Sequence, residues 1–121
     1  MKKKSTSNEN YGSTTLCLAK ITQREPGFLI GKYGSCVNEE DYMIPHVLQG
    51  EGVVYIRYVE SIMIKGRKYI ITVPSLDVIG DNQCVIVDWS GDTYKIWDPW
   101  DHYTEDGYLI AYTNVIEILK G

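Results

Sequence analysis

Cys17, Cys36 and Cys84 are the strongest potential nucleophiles in this sequence, and His46 and His102 are its only imidazoles. A cysteine attacks as its thiolate, which a helix N-terminus or a neighbouring imidazole stabilises. Cys17 lies inside the run Leu16-Cys17-Leu18-Ala19 and Cys84 opens the run Cys84-Val85-Ile86-Val87, so both read as small core residues. Cys36, between Ser35 and Val37, is expected in a loop with no histidine placed beside it. His46 follows Pro45 in a helical segment and reads as a surface or capping residue. There is no Cys-x-x-Cys pair and the histidines are isolated, so no metal site is expected. No cofactor is expected either. An odd number of cysteines without a secretory signal points to reduced thiols and a cytoplasmic setting.

The elements that must position these groups fall into two halves. Residues 1–10 are polar and read as a disordered tail, leaving residues 11–121 as a single domain. A buried helix is expected from Ser13 to about Arg24, capped by Ser13, Thr14 or Thr15 and ended by Pro26-Gly27. Asn38 followed by Glu39, Glu40 and Asp41 suits the start of a second helix, with Tyr42, Met43, Val47 and Leu48 facing inward. Strands are expected over Val53–Val59, Ile62–Ile64, Lys68–Val73, Cys84–Trp89, Thr93–Trp97 and Val115–Leu119. Ser90-Gly91-Asp92 is a hairpin signal, and Thr104 begins a short helical stretch ending near Tyr112. Helices first and antiparallel strands afterwards give an α+β domain with segregated layers.

Composition narrows the function classes. The chain has 121 residues, 44% of them apolar, which suffices for one packed core. Its net charge of −4 disfavours nucleic acid as a partner, because phosphate binding needs a concentrated basic surface. Lys2, Lys3 and Lys4 form the only basic run, and no apolar stretch follows them as in a signal peptide. No segment approaches the roughly 20 apolar residues of a membrane span.

Two segments taken together resemble a known family. Tyr11-Gly12-Ser13-Thr14-Thr15-Leu16-Cys17-Leu18-Ala19-Lys20-Ile21 is similar to the nucleophile helix of the bacteriocin-processing, double-glycine leader peptidases, which are papain-like cysteine peptidases. Val73-Pro74-Ser75, Asn82-Gln83-Cys84-Val85-Ile86-Val87 and Ile96-Trp97-Asp98-Pro99 resemble that family's base strand and hairpin. Tyr112-Thr113-Asn114-Val115-Ile116-Glu117-Ile118 resembles its closing strand, whereas residues 25–70 are only loosely similar. In this alignment Ser13 occupies the place of the nucleophilic cysteine, Gln83 that of the base histidine, and Asp98 that of the orienting acid. The family's oxyanion-hole glutamine falls on Ser7, with Asn8 and Asn10 nearby.

The resemblance implies a papain-like fold whose catalytic positions are degenerate. A serine without a base is a poor nucleophile, and an amide is not a useful base near neutral pH. His102, just past Asp98, is the one candidate for a migrated base. A cleft without catalysis is still a groove, and Tyr11, Trp89, Trp97, Trp100 and Tyr103 lie in the segments that would line it. The expected function is therefore a pseudo-peptidase that binds a protein or peptide. The alternatives are a cysteine peptidase in an inactivated form, or a structural component of a larger assembly such as a phage particle.

Overall fold

The computed structural model describes residues 11–38, 43–58, 60, 62–76, 78–100, 103 and 111–120. The expected tail at 1–10, the acidic helix start at 39–41, His102 and the stretch expected from Thr104 lie outside the described residues.

Helix α1 spans Ser13–Thr22 and is buried along most of its length. Its N-cap is Gly12, in extended conformation and without a side-chain cap, so the expected caps Ser13, Thr14 and Thr15 are instead buried residues of the first turn. The hydroxyl of Ser13 is used across the interface with the sheet. The helix closes at Gln23, whose φ of 60° is left-handed. Pro26 does more than end α1: it opens a further helix, α2, over Pro26–Tyr33. Proline suits this first helical position because its missing N–H would have had no partner there. A 3₁₀ turn at Ser35–Asn38 and helix α3 at Met43–Gly50 complete the helical layer. Gly50 sits so close to the ring of Tyr33 that a Cβ there would collide with it.

Five antiparallel strands follow: β1 Val54–Arg57, β2 Lys68–Pro74, β3 Asn82–Asp88, β4 Lys95–Trp97 and β5 Thr113–Lys120. Their order in the sheet is β1-β5-β2-β3-β4. Ile62–Ile64 is not a strand, despite its β-branched composition. The N–H of Ile64 donates to the hydroxyl of Tyr69 at 2.6 Å, and that hydroxyl donates back to the Ile64 carbonyl at 3.3 Å. A side chain thus takes the groups that a ladder would have used. β5 carries a bulge against β2, where Asn114 adopts a left-handed φ of 51° that asparagine tolerates better than most residues.

The sheet is buried on both faces, which is why β2 and β3 read as unbroken apolar runs. Ile70, Cys84, Ile86 and Ile116 pack against Leu18, Leu29, Val47 and Leu48 of the helices. On the outer face Tyr69, Ile71, Val73, Val85, Val87 and Val115 form a second core, screened by Tyr58, Met63, Tyr94, Tyr103 and Tyr112. Within that face the Glu117 carboxylate is 1% exposed, receives Arg67 Nη1 at 2.7 Å and accepts the Tyr58 hydroxyl. Burial pushes the Glu117 pKa up, but the bonds from Tyr58 and Arg67 outweigh it and hold the carboxyl below its ordinary value.

Glu51, just beyond α3, ties the helices together. It receives Arg24 Nε at 2.8 Å, Lys32 Nζ at 2.7 Å and the Tyr33 hydroxyl at 2.5 Å. The bonds from Lys32 and Tyr33, opposed by burial and aided by Arg24, lower its pKa from 4.5 to about 2. Because the folded value is depressed, this contribution is fully present above about pH 4.5 and is lost as pH falls through about 2. Glu51→Gln is expected to cost about 1–2 kcal/mol at neutral pH, since Arg24 and Lys32 stay half-solvated. It should also flatten the stability profile between those two pH values. Thermal melting of both proteins across pH measures this, and parallel acid profiles would contradict it.

Candidate functional site

Ser13, Gln83 and Asp98 come from α1, β3 and the residue after β4, and both Ser13 and Asp98 hydrogen-bond to β3. The Ser13 hydroxyl accepts the backbone N–H of Cys84 at 2.8 Å. One turn further along α1, Cys17 Sγ donates to the Cys84 carbonyl at 3.3 Å. The start of α1 is therefore fastened to β3 at the residue next to Gln83. Gln83 points to the opposite face of the strand from Cys84, as alternation requires. Its Nε2 donates to Asp98 Oδ1 at 2.8 Å.

Asp98 also accepts two backbone donors, Trp100 N–H on Oδ1 and Tyr103 N–H on Oδ2, each at 2.8 Å. The bond to the residue two positions on makes Asp98-Pro99 an Asx turn. Tyr103 then donates its hydroxyl to the Pro74 carbonyl at 2.6 Å, closing the turn onto the end of β2. Ser13 is 9% exposed, Gln83 5% and Asp98 6%, so these groups are structurally embedded and not open to solvent.

The chemistry available to this arrangement is limited. Gln83 stands to Asp98 as an imidazole would stand to an orienting acid, but an amide supplies no basic nitrogen. Ser13 serves as an acceptor for a backbone donor. Cys17 is wholly buried, and burial pushes its thiol pKa well up, reinforced by its neighbour Cys84 and by the carboxylate of Asp98. It stays protonated and inert, as its place in an apolar run indicates. Cys84 is likewise a buried free cysteine.

The aromatic candidates divide. Trp100 and Tyr103 sit at the Asp98 turn. Trp97 is half-buried and lines two hollows. One, of about 280 Å³, is bounded by Leu16, Ala19, Lys20, Arg24, Trp97 and Pro99. The other, of about 340 Å³, runs past Trp97, Asp98 and Tyr103 to Lys20, Lys68 and Lys95. Trp89 is set apart from these, beyond the far end of β3, edge-to-face with Tyr94 at 5.6 Å. Tyr11 rests its hydroxyl over Gly27 of α2. His46 lies exposed on α3 with its ring against Tyr33 at 5.5 Å.

Among the described residues no three His, Cys, Asp or Glu side chains converge in a way that would hold a metal ion. No described helix is long and apolar enough to cross a membrane. The lysines around Trp97 escape a reading of the sequence, because they come from α1, β2 and β4. In sequence Lys68 and Lys95 show only as a charge opening a strand, and Lys20 as one in the last turn of a helix. Comparisons with protein-family models, with curated proteins and with solved structures found no match.

Proposed function

We propose that this chain is a papain-like domain without catalysis that binds a protein or peptide. The observation that supports this reading most is the joining of Ser13, Gln83 and Asp98 through β3, with an amide hydrogen-bonded to the carboxylate where catalysis would require an imidazole. Every polar group of that site that catalysis would need free is engaged in holding the fold.

A second feature supports binding. The connection from β2 to β3 at the Gln83 end is tied by two hydrogen bonds: Ser75 N–H donates to the Asp81 carbonyl at 2.9 Å and Val78 N–H to Ser75 Oγ at 3.1 Å. This turn nevertheless presents Leu76, Val78 and a fully exposed Ile79 to solvent. Exposed apolar side chains grouped on one turn are a feature of contact surfaces. Cys17 and Cys84, both free, agree with the cytoplasmic setting that forms part of the proposal. The reading as a component of a larger assembly draws on a different observation. Among the described residues β1 is an edge strand with Val54 and Ile56 exposed, and a strand edge can accept another strand.

The non-catalytic reading is tested by restoring the missing groups. In a Cys36→Ser background, Ser13→Cys with Gln83→His is expected to give a thiol that alkylates no faster than an ordinary cysteine at neutral pH. A thiol that stays reactive below about pH 6, as an imidazole-paired thiolate does, would overturn the proposal. It would identify instead a cysteine peptidase disabled by two replacements.

A further inference from the structure

The charge of this chain is unevenly placed. The net charge is −4, yet Lys20, Arg24, Lys68 and Lys95 all border the two hollows that meet at Trp97. Lys20 Nζ lies 5.0 Å from the centre of the Trp97 ring. Lys68 and Lys95 flank Asp88 across β2, β3 and β4, on the same sheet face as Trp97. Asp88 offsets one of these lysines. Asp98, which also lines the larger hollow, faces the three donors Gln83 Nε2, Trp100 N–H and Tyr103 N–H. Arg24 is held by Glu51. Among the described residues, neither Lys20 nor Lys68 is paired with a carboxylate.

Beside Lys20 and Arg24 the floor is apolar. Leu16, Ala19, Pro99 and the ring of Trp97 wall the smaller hollow, which is large enough for one aliphatic or aromatic side chain. An apolar floor bordered by Lys20, with Lys68 nearby and neither paired with a described carboxylate, fits a ligand of alternating character, with an apolar side chain seated beside carboxylates. We infer that the Trp97 groove binds an acidic peptide segment, which places an apolar side chain against Trp97, Leu16 and Pro99 and its carboxylates on Lys20 and Lys68. This rests on the binding-module reading above and names the chemical class of its partner. Nucleic acid fits less well: the cations form a single cluster around an apolar hollow and not a track that follows a phosphate backbone.

The probes are a fluorescein-labelled peptide of alternating glutamate and leucine, a matching lysine–leucine peptide, and a short single-stranded oligonucleotide. Each is titrated with the intact chain while anisotropy is followed. The glutamate peptide alone is expected to bind, with its Kd raised roughly tenfold by Lys20→Gln with Lys68→Gln. A similar loss is expected on going from about 50 mM to about 300 mM salt. Both lysines are exposed, so the double variant should melt as the parent does, which separates lost binding from lost fold. Equal binding of the lysine peptide, or an unchanged Kd in the lysine variant, would refute the inference. So would an oligonucleotide that binds as tightly with the same lysine dependence, because the ligand would then be a polyanion of another kind. Either refutation leaves the thiol test of the degenerate site untouched, so failure here is distinguishable from failure of the reading on which it rests.

Discussion

Asp98→Ala is expected to destabilise the protein by about 3–5 kcal/mol, a large share of the 5–15 kcal/mol that holds a typical domain folded. The carboxylate is 6% exposed and is the shared acceptor for Gln83 Nε2, Trp100 N–H and Tyr103 N–H. Removing it strips a partner from all three donors. Each hydrogen bond to a charged group is worth about 1.5–3 kcal/mol, and leaving its donor buried adds to the cost. Asp98→Asn keeps one oxygen and should recover part of the loss, while Gln83→Ala should cost less than either because it removes only one of the three donors. Urea denaturation of the three variants gives the ranking. A loss below about 1 kcal/mol in Asp98→Ala would show that the turn is held by something other than this carboxylate.

Tyr69→Ala is expected to cost about 3–5 kcal/mol, as truncating a buried aromatic does. Tyr69 is fully buried in the outer-face core and meets Tyr58 edge-on at 6.3 Å. Tyr69→Phe separates ring from hydroxyl: it keeps the packing and removes the bonds to Ile64, for a loss of about 1–2 kcal/mol. The Phe variant should also release residues 62–64, seen as faster amide exchange at Ile64. Equal losses in the Ala and Phe variants would mean that the hydroxyl, and not the ring, carries the outer face.

The broad architecture is legible in the residues, and the exceptions have local causes. β2, β3 and β5 stand out as β-branched runs, and helices ahead of strands is the order found. Cys17 and Cys84 declare themselves as core by their apolar neighbours. α2 is missed because Pro26-Gly27 signals a break, although proline is equally suited to open a helix. Ile62–Ile64 has the composition of a strand, but the Tyr69 hydroxyl takes the backbone groups of Ile64. In the site, the types of Ser13, Gln83 and Asp98 are visible in one dimension. That Ser13 bonds the backbone of Cys84, and that Asp98 gathers three donors, depends on how α1 lies across β3. The Lys68–Asp88–Lys95 row exists only once the registers of β2, β3 and β4 are set, and no local pattern encodes those registers.

The placement of β5 bears on how the protein is made. It is the last of the described strands, yet it lies between β1 and β2 and is the one described strand that pairs with β1. While the chain is being synthesised, β2, β3 and β4 can pair as soon as they leave the ribosome, but β1 must wait. Until Thr113–Lys120 emerges, β2 carries an open edge and the apolar side chains of β1 have no ladder to join. At roughly 5–20 residues per second, the time between the appearance of β1 and of its partner is several seconds. During that interval β1 stays unpaired and β2 is open on one side, so closure of the sheet waits on its C-terminal strand.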